Sequence, residues 1–261
     1  MSGGELRVER GGDGVLTLTL DNPAHRNALN DHLIAGLTAA LREAATDPAC
    51  RAVVLRGANG MFCAGRELND VVRLQAADAD TEAVEAAYQA VWGLNEALYY
   101  LPKPSIAVVE RFALGAGAGL VNWTDFAIAE EGALIGYPEV KIGFPPTLTT
   151  VSLIRSIGRK AAMDLLLTGR NITAEDALRM GLLTRVVPRG EAGAALAETL
   201  QLLLAASPDA IARTKRVVWK VEDADYRAAC AAAVDSISIA VTTREAREGV
   251  AAFVGKRPPR W

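Results

Sequence analysis

Two segments of small residues follow short apolar runs in this sequence, and each stands where a helix is about to begin. The first is Cys63–Gly65 and the second is Gly115–Gly117. Small residues let backbone N–H groups come close to a ligand, and the start of a helix adds unpaired donors and a partial positive charge. Two such donors aimed at one position would form an oxyanion hole. The alternative is a pair of tight turns that let helices pack closely on strands.

Other kinds of site find little support in the motifs. The glycines at 115, 117 and 119 read GxGxG, whereas a dinucleotide-binding fingerprint reads GxGxxG. The sequence holds neither a GxxxxGK[ST] phosphate loop nor a GxSxG nucleophile motif. Its two histidines, His25 and His32, are too few for a histidine-rich metal site, so we expect no metal.

Composition narrows the class of protein further. The chain has 261 residues, of which 51% are apolar, enough for a sizeable core. Its 28 basic and 31 acidic residues argue against a nucleic-acid binder. The three cysteines are widely spaced and form no metal motif, which predicts a reducing, cytoplasmic compartment. We expect no signal peptide and no membrane association, because no apolar run has the required character.

Short apolar strands alternate with helical patterns, which predicts an α/β layer structure. A hairpin is expected in LRVERGGDGVLTLTL, where Gly-Gly-Asp-Gly separates two β-rich runs. Helices are predicted over 31–46, with Asn30 or Asp31 as the cap, and over 84–98. RAVVLRG, SIAVVE, FAIAEE and ALIGYPE are predicted strands. From about residue 145 the pattern is mostly helical.

Several stretches together resemble the crotonase, or enoyl-CoA hydratase/isomerase, superfamily. They follow one another in the family's order through almost the whole chain: LDNPAHRNALN, AVVLRGANGMFCAGRELND, KPSIAVVERFALGAGAGL, DFAIAEEGALIGYPEVKIG, LLLTGRNITAEDALRMGLLTRVV and AFVGKR. The resemblance implies a spiral of repeated ββα units over 1–195 that carries the active site. It also implies a helical trimerisation region over 196–261, and assembly as a homotrimer or a dimer of trimers.

The resemblance further implies an acyl-CoA substrate and no cofactor beyond the coenzyme A of that substrate. In this family the oxyanion donors are the backbone N–H groups that follow the CAG glycine and the first glycine of the second loop. Those positions are Arg66, after Gly65, and Ala116, after Gly115. Chemistry beside a thioester carbonyl puts negative charge on its oxygen, and losing one donor from such a site typically costs about 3 kcal/mol.

The expected acid/base residue is Glu139. Hydratases of the family use two glutamates, and the Pro138-Glu139 step matches one of them, whereas Gly119 stands at the position of the other. Burial would raise the pKa of Glu139 and let it act as a base and then an acid. One carboxylate suits double-bond isomerisation, because the same group can remove and return a proton. Hydration and a catalytically silent acyl-CoA binder are the alternatives.

The remaining expectations concern the missing acid and the ligand. Five polar residues are candidates to compensate for it: Glu67, Asp70, Asn122, Asp125 and Tyr137. The resemblance places coenzyme A against the loop with Ala24, Arg26 and Ala28, against the backbone near Ala64, and against Phe253 and Lys256, which often serve a neighbouring subunit. The acyl pocket is expected to include Tyr88, Trp92 and Phe144.

Overall fold

Nine strands and ten helices occupy the part of the chain that the computed structural model describes, residues 4–76 and 80–261. The strands are β1 (Glu5–Arg10), β2 (Val15–Asp21), β3 (Ala52–Gly57), β4 (Ser105–Val109), β5 (Phe112–Leu114), β6 (Phe126–Glu130), β7 (Leu134–Gly136), β8 (Asn171–Thr173) and β9 (Arg185–Val187). The helices are α1 (Asp31–Thr46), α2 (Leu68–Leu74), α3 (Thr81–Tyr99), α4 (Ala116–Trp123), α5 (Thr147–Thr168), α6 (Ala174–Met180), α7 (Ala192–Ala205), α8 (Pro208–Val221), α9 (Tyr226–Ala240) and α10 (Arg244–Val254).

The larger sheet has six strands in the order β1-β2-β3-β4-β6-β9. The predicted hairpin forms its antiparallel edge, with Leu6 opposite Leu20, and the other neighbours are parallel. Both faces of the parallel strands are buried, as is usual for parallel sheets. In β3, for example, Val53 and Leu55 face one core and Val54 faces the other. Successive residues of a strand point to opposite faces. Because both faces are buried here, most positions are apolar and the strands are largely apolar runs in the sequence.

A smaller sheet, β5-β7-β8, receives the chain after it leaves the larger one. Strand β4 is followed by β5, and β6 is followed by β7, before the next helix begins. Earlier turns of the chain contribute single bridging residues instead: Cys63 pairs with Ala113, and Leu29 pairs with Arg66. The result is a spiral in which each turn supplies one strand to the large sheet and an extended segment to the small side.

Local signals account for the predicted helices. Helix α1 begins at the predicted residue, and the Asn30 side chain accepts a hydrogen bond of 2.9 Å from Leu33 N. Helix α3 ends just before Pro102. The prediction of a mostly helical chain after residue 145 missed β8 and β9, and the prediction also passed over β5. Each of these strands has three residues, too few for a periodic pattern, and each is defined by its distant pairing partners.

The last helices expose many apolar side chains. Phe253 is 86% exposed and Val254 is 76% exposed, both on α10. Helix α7, in contrast, packs Ala192 and Ala195 against the larger sheet and runs across the predicted division after residue 195. The division into 1–195 and 196–261 and the trimerisation role stay predictions. No helix in the described part of the chain combines the length and the apolar character of a membrane span.

We expect Gly117→Ala to destabilise the fold. A Cβ on Gly117 would lie 2.6 Å from Cys63 O and 2.7 Å from Cys63 Cβ, so α4 and the Cys63 segment would have to separate. Overpacking of this kind costs about 1–3 kcal/mol. The matched control is Gly193→Ala in α7, where a Cβ meets nothing within 4 Å and helix propensity favours alanine by about 1 kcal/mol. Urea unfolding measures both changes, and equal effects would show that Gly117 is not a packing constraint.

Candidate active site

A largely apolar cavity of about 480 Å³ opens beside the two small-residue loops. Its volume is that of a small-molecule site. The wall is formed by the loops, by α2, α3 and α4, and by the segment between β7 and α5. It includes Leu29, Ala64, Gly65, Arg66, Leu68, Tyr88, Val91, Leu94, Asn95, Gly115, Ala116, Gly119, Leu120, Glu139, Lys141, Ile142, Phe144, Pro145, Pro146, Leu148 and Thr149.

The two loops converge at one end of this cavity. Gly65 has φ +105° and Gly115 has φ +52°, so both adopt backbone conformations that favour glycine. A Cβ built on Gly65 would lie 3.1 Å from Leu114 O and 3.6 Å from Ala116 N. Backbone bonds fix this approach, because Leu114 N donates to Cys63 O at 3.0 Å. The convergence that the sequence left open is therefore present in the fold.

Two backbone N–H groups at the convergence point have no hydrogen-bond partner within the described ranges. Ala116 is the first residue of α4, so its N–H has no partner inside the helix. Arg66 lies opposite Leu29 in a parallel β-bridge, but the residues on either side of Arg66 make the hydrogen bonds. Leu29 N donates to Gly65 O, and Glu67 N donates to Leu29 O. This bridge pattern leaves the Arg66 N–H pointing away from Leu29. Both groups lie in residues that line the cavity.

The side chain of Arg66 has partners on the segment before α1, on α1 and on α2. Its guanidinium donates to Leu29 O at 3.0 Å and to Asp31, and it lies 3.4 Å from Asp70. Asp70 also accepts from Asp31 N at the start of α1. Arginine at this position thus ties α2 to α1 and leaves its backbone N–H unencumbered.

Cys63 serves packing in this loop. It is completely buried, and burial raises the pKa of its thiol to about 12. A thiol with so high a pKa supplies almost no thiolate at neutral pH. Cys63 therefore offers no nucleophile.

Glu139 also reaches the convergence point of the two loops. A Cβ placed on Gly115 would lie 3.2 Å from Glu139 Oε1 and 3.7 Å from Gly65 Cα. Glu139 Oε2 is enclosed, with no hydrogen-bond partner in the described part of the chain. Burial raises the pKa of this carboxyl above its usual value, opposed by its own backbone N–H. The backbone is held by Phe144 N, which donates to Glu139 O at 3.0 Å.

Gly119 lines the cavity but supplies no carboxylate to it. It lies in the first turns of α4, where Gly119 N donates to Gly115 O at 3.0 Å. A Cβ on Gly119 would lie 2.8 Å from Cγ2 of Thr149, closer than side chains tolerate. The Thr149 hydroxyl donates to Pro146 O at 3.1 Å, which orients that methyl group. The space next to Gly119 is therefore filled by Thr149.

Two of the five candidates to replace the missing acid lie outside this point and have other partners. Glu67 accepts from Asn22 Nδ2 at 3.0 Å and lies 3.7 Å from His25 Nε2. Asp70 belongs to the ion-pair cluster around Arg66. Neither candidate lines the cavity.

The other three candidates are hydrogen-bonded within the structure. Tyr137 is fully buried and donates to Asn122 Oδ1 at 2.8 Å, while Asn122 Nδ2 donates to Ser152 Oγ at 3.1 Å. Asp125 Oδ2 accepts from Ser105 N and Oγ, each at 2.8 Å, and from Lys215 Nζ at 2.5 Å. All three also lie outside the cavity wall.

The residues predicted to bind coenzyme A lie on the loop before α1, at the rim of the cavity and at the end of α10. Ala24 and Arg26 are exposed on the loop before α1, Ala28 is buried there, and Ala64 N donates to Arg26 O at 3.2 Å. This bond fastens the loop to the rim of the cavity. Phe253 and Lys256 are exposed at the end of α10 and do not line the cavity of their own chain.

The structure distributes the predicted acyl-pocket residues over two neighbouring depressions, and their role in binding stays a prediction. Tyr88 and Phe144 line the cavity, but Trp92 does not. Trp92 is 41% exposed and lines a neighbouring surface depression with Tyr88, Thr147 and Leu148. Trp92 follows Tyr88 by about one helical turn and is turned about 100° from Val91, so it lies at the edge of the α3 face that lines the cavity.

Sequence reasoning missed two residues of the site. Asn95 lines the cavity although it lies in an otherwise apolar stripe of α3, and Thr149 fills the space beside Gly119. The signal for Asn95 was its position seven residues after Tyr88, which places both on one helix face. Thr149 comes from α5, and no local pattern connects it with Gly119.

Comparison with known proteins gives a consistent assignment of fold. An enoyl-CoA hydratase/isomerase family model matches residues 10–261. The chain is similar to 2,3-dehydroadipyl-CoA hydratase of Escherichia coli, with 33% identity over 249 residues and 94% of each protein covered. It is also similar to a solved enoyl-CoA hydratase from Mycobacterium smegmatis, with 33% identity, a TM-score of 0.92 and 98% of each chain covered. An enoyl-CoA hydratase/isomerase from Marinobacter aquaeolei gives 30% identity and a TM-score of 0.93, again over 98% of each chain. The predicted fold is confirmed.

The raised pKa of Glu139 predicts a pH-dependent effect on stability. The folded protein holds this proton more tightly than the unfolded chain, whose carboxyl has a pKa near 4.5. The contribution of Glu139 to stability therefore falls as the pH rises from about 4.5 through the folded pKa. Glu139→Gln lacks this titration, so we expect its free energy of unfolding, relative to the native protein, to be higher at about pH 8 than at about pH 4.

Urea unfolding at both pH values measures this difference. Glu5→Gln, at an exposed position in β1, controls for the loss of one carboxylate. A difference between Glu139→Gln and the native protein that does not change with pH would contradict the prediction.

Proposed function

Because the chain belongs to the enoyl-CoA hydratase/isomerase family of acyl-CoA enzymes, we propose that Glu139 is its single acid/base and that enoyl-CoA double-bond isomerisation is its reaction. The observation that carries this proposal is the position of Glu139. Its carboxyl lies beside Gly115 at the convergence of the loops, with an enclosed and unpaired oxygen. On the side where a hydratase of this family would hold a second carboxylate, Gly119 faces the Thr149 methyl group.

The proposed chemistry begins at the thioester carbonyl. Its oxygen accepts hydrogen bonds from the N–H groups of Arg66 and Ala116, which have no other partner in the described ranges. These donors stabilise the enolate oxygen that forms when a proton leaves C2, and the N-terminus of α4 adds its partial positive charge. Both donors are backbone groups fixed by the loops, so they need no reorganisation as charge develops.

Glu139 then transfers the proton. As a carboxylate it removes a proton from C2 of a 3-enoyl thioester, and the electron pair of that C–H bond forms the enolate. The protonated Glu139 returns the proton to C4 as the double bond moves to C2–C3. No water and no redox step is required. The apolar wall favours both half-reactions. Burial against it raises the pKa of Glu139 and so brings that pKa closer to the working pH.

Hydration is the second candidate, and the names of the relatives favour it. One similar protein is a 2,3-dehydroadipyl-CoA hydratase, and a similar solved structure is an enoyl-CoA hydratase. Addition of water to C3 would still use the oxyanion donors and Glu139. It would need a second group to orient the water, which Gly119 does not supply.

The proposed assembly is a homotrimer or a dimer of trimers. The apolar residues of the last helices support it, with Ile237 63% exposed and Phe253 86% exposed. Contact with a second copy would cover such side chains. In this assembly Phe253 and Lys256 would reach the coenzyme A of a neighbouring subunit.

We expect Glu139→Gln to lower isomerisation of 3-enoyl-CoA thioesters by about 10²- to 10⁴-fold, the usual contribution of a general acid/base. The amide keeps the shape of the side chain but cannot accept the proton. Turnover is measured on matched panels of 3-enoyl- and 2-enoyl-CoA, with Glu131→Gln in an exposed turn as the control. Unchanged activity would refute the role of Glu139.

Rapid hydration of crotonyl-CoA by the native protein would reject isomerisation as the main reaction. A native protein that binds these thioesters without turnover would be a silent acyl-CoA binder.

The clash at Gly119 predicts how hydration could be introduced. Gly119→Glu alone should gain little, because its Cβ would meet Thr149 Cγ2 at 2.8 Å. Thr149→Ser removes that methyl group and keeps the hydroxyl that bonds to Pro146 O. We therefore expect the double variant to hydrate 2-enoyl-CoA at least about 10-fold faster than either single variant, within the range of one general acid/base. Equal rates in the three variants would show that Thr149 does not limit the site.

A further inference from the structure

Asn95 is a buried amide in the wall of an apolar cavity. It is 7% exposed, and it shares one face of α3 with Tyr88 and Val91, both of which also line the cavity. Asparagine on such a face is unusual, because the neighbouring positions that contact the cavity are mostly apolar. The Asn95 amide therefore needs a hydrogen-bond partner in this apolar surrounding.

No protein group within residues 4–76 and 80–261 hydrogen-bonds to the Asn95 side chain. The buried side-chain atoms that are enclosed without a partner in these ranges belong to Glu110, Trp123 and Glu139. Asn95 is not among them, so its amide keeps accessible surface, and the cavity that it lines provides that surface. The other buried asparagines of the described chain illustrate the contrast: Asn27, for example, donates to Ala58 O at 2.9 Å and to Met61 O at 2.7 Å.

Asn95 is more deeply buried than Tyr88 on the same face of α3. Along the shared face of α3, exposure falls from 42% at Tyr88 to 7% at Asn95. The rings of Tyr99 and Trp123 meet at 5.1 Å, which joins the ends of α3 and α4. Each helix leads into one of two parallel neighbouring strands, α3 into β4 and α4 into β6. One turn back from this contact, Asn95 on α3 and Gly119 on α4 both line the cavity, and Gly119 is about one helical turn beyond the proposed oxyanion donor at Ala116.

We propose that Asn95 is a specificity residue that hydrogen-bonds to an oxygen on the acyl chain, and that the substrates are hydroxy- or oxo-acyl-CoA thioesters. The inference rests on the proposed function in assigning this cavity to the acyl group. An amide both donates and accepts, so it suits a hydroxyl or a carbonyl oxygen. A plain alkyl chain would displace water from the amide and leave it unpaired, which disfavours that substrate.

Binding of saturated acyl-CoA thioesters tests this directly. Hexanoyl-CoA is compared with 5-hydroxyhexanoyl-CoA, 5-oxohexanoyl-CoA and adipyl-CoA by titration calorimetry, because none of the four can be hydrated or isomerised. We expect the native protein to bind the hydroxy or the oxo thioester about 10-fold more tightly than hexanoyl-CoA. We expect Asn95→Leu, which keeps the branched shape, to remove that preference.

The controls separate specificity from folding and from catalysis. Asn69→Leu, at an exposed position on α2, should keep the native preference. Asn95→Ala provides a second truncation if the leucine variant fails to fold, and thermal unfolding monitors both. Turnover of matched plain and oxygenated enoyl-CoA pairs supplies the second measurement, in which Asn95→Leu should slow the oxygenated member alone.

Three results would overturn the proposal. They are equal native affinity for hexanoyl-CoA and its oxygenated forms, a preference for adipyl-CoA that survives Asn95→Leu, and equal slowing of plain and oxygenated enoyl-CoA by that variant. The last result would assign the amide to the reaction rather than to the acyl chain. The proposed function fails separately, if the native protein binds the thioesters with the expected preference but does not turn over enoyl-CoA.

Discussion

The close approach of two backbone segments is the constraint on which the site depends. Gly117 lets α4 pack directly on Cys63, with no room for a side chain between them. Cys63 is in turn paired with Ala113, and Leu114 N donates to Cys63 O. If this approach opened, the segment of Gly65 and Arg66 would move away from the Ala116 N–H group. The spiral arrangement of the chain matters because it brings segments about 50 residues apart in sequence to one edge of the smaller sheet.

Polar groups in this protein fall into two physical classes. Asp125 and Tyr137 are held by protein partners, and Lys215, although buried, is bonded to Asp125 and to Lys103 O. Burial lowers the pKa of Lys215 while Asp125 opposes that change, as expected of a structural pair. Glu139 and Asn95, in contrast, border the cavity without such partners in the described chain. An unpaired buried polar group costs stability, so its presence in a cavity wall indicates a ligand-directed role.

The sequence predicted the features that local patterns encode. The hairpin, the start of α1 at Asn30 and the apolar strands of the larger sheet each have a signal within a few neighbouring residues. The position of Glu139 and the lack of a side chain at Gly119 could be read from motifs. What could not be predicted depends on residues far apart in the chain. The short strand β9 is defined by pairing with β6, and the Thr149 methyl group fills space beside α4 from a different helix. Trp92 follows Tyr88 by about one turn of α3 but lines only the neighbouring depression, which periodicity along one helix does not reveal.

The absence of a second carboxylate also determines how the remaining one behaves. Two carboxylates in one pocket would titrate as a coupled pair, and each would raise the pKa of the other by like-charge repulsion. With glycine at position 119, the cause that raises the pKa of Glu139 is burial. In the proposed reaction, Glu139 would therefore exchange its proton with a substrate carbon without changing the charge state of a neighbouring acid. A group of this kind suits a cycle in which the proton that is removed is the proton that is returned. In the proposed cycle the N–H groups of Arg66 and Ala116, rather than a second acid, would stabilise the charge between the two transfers.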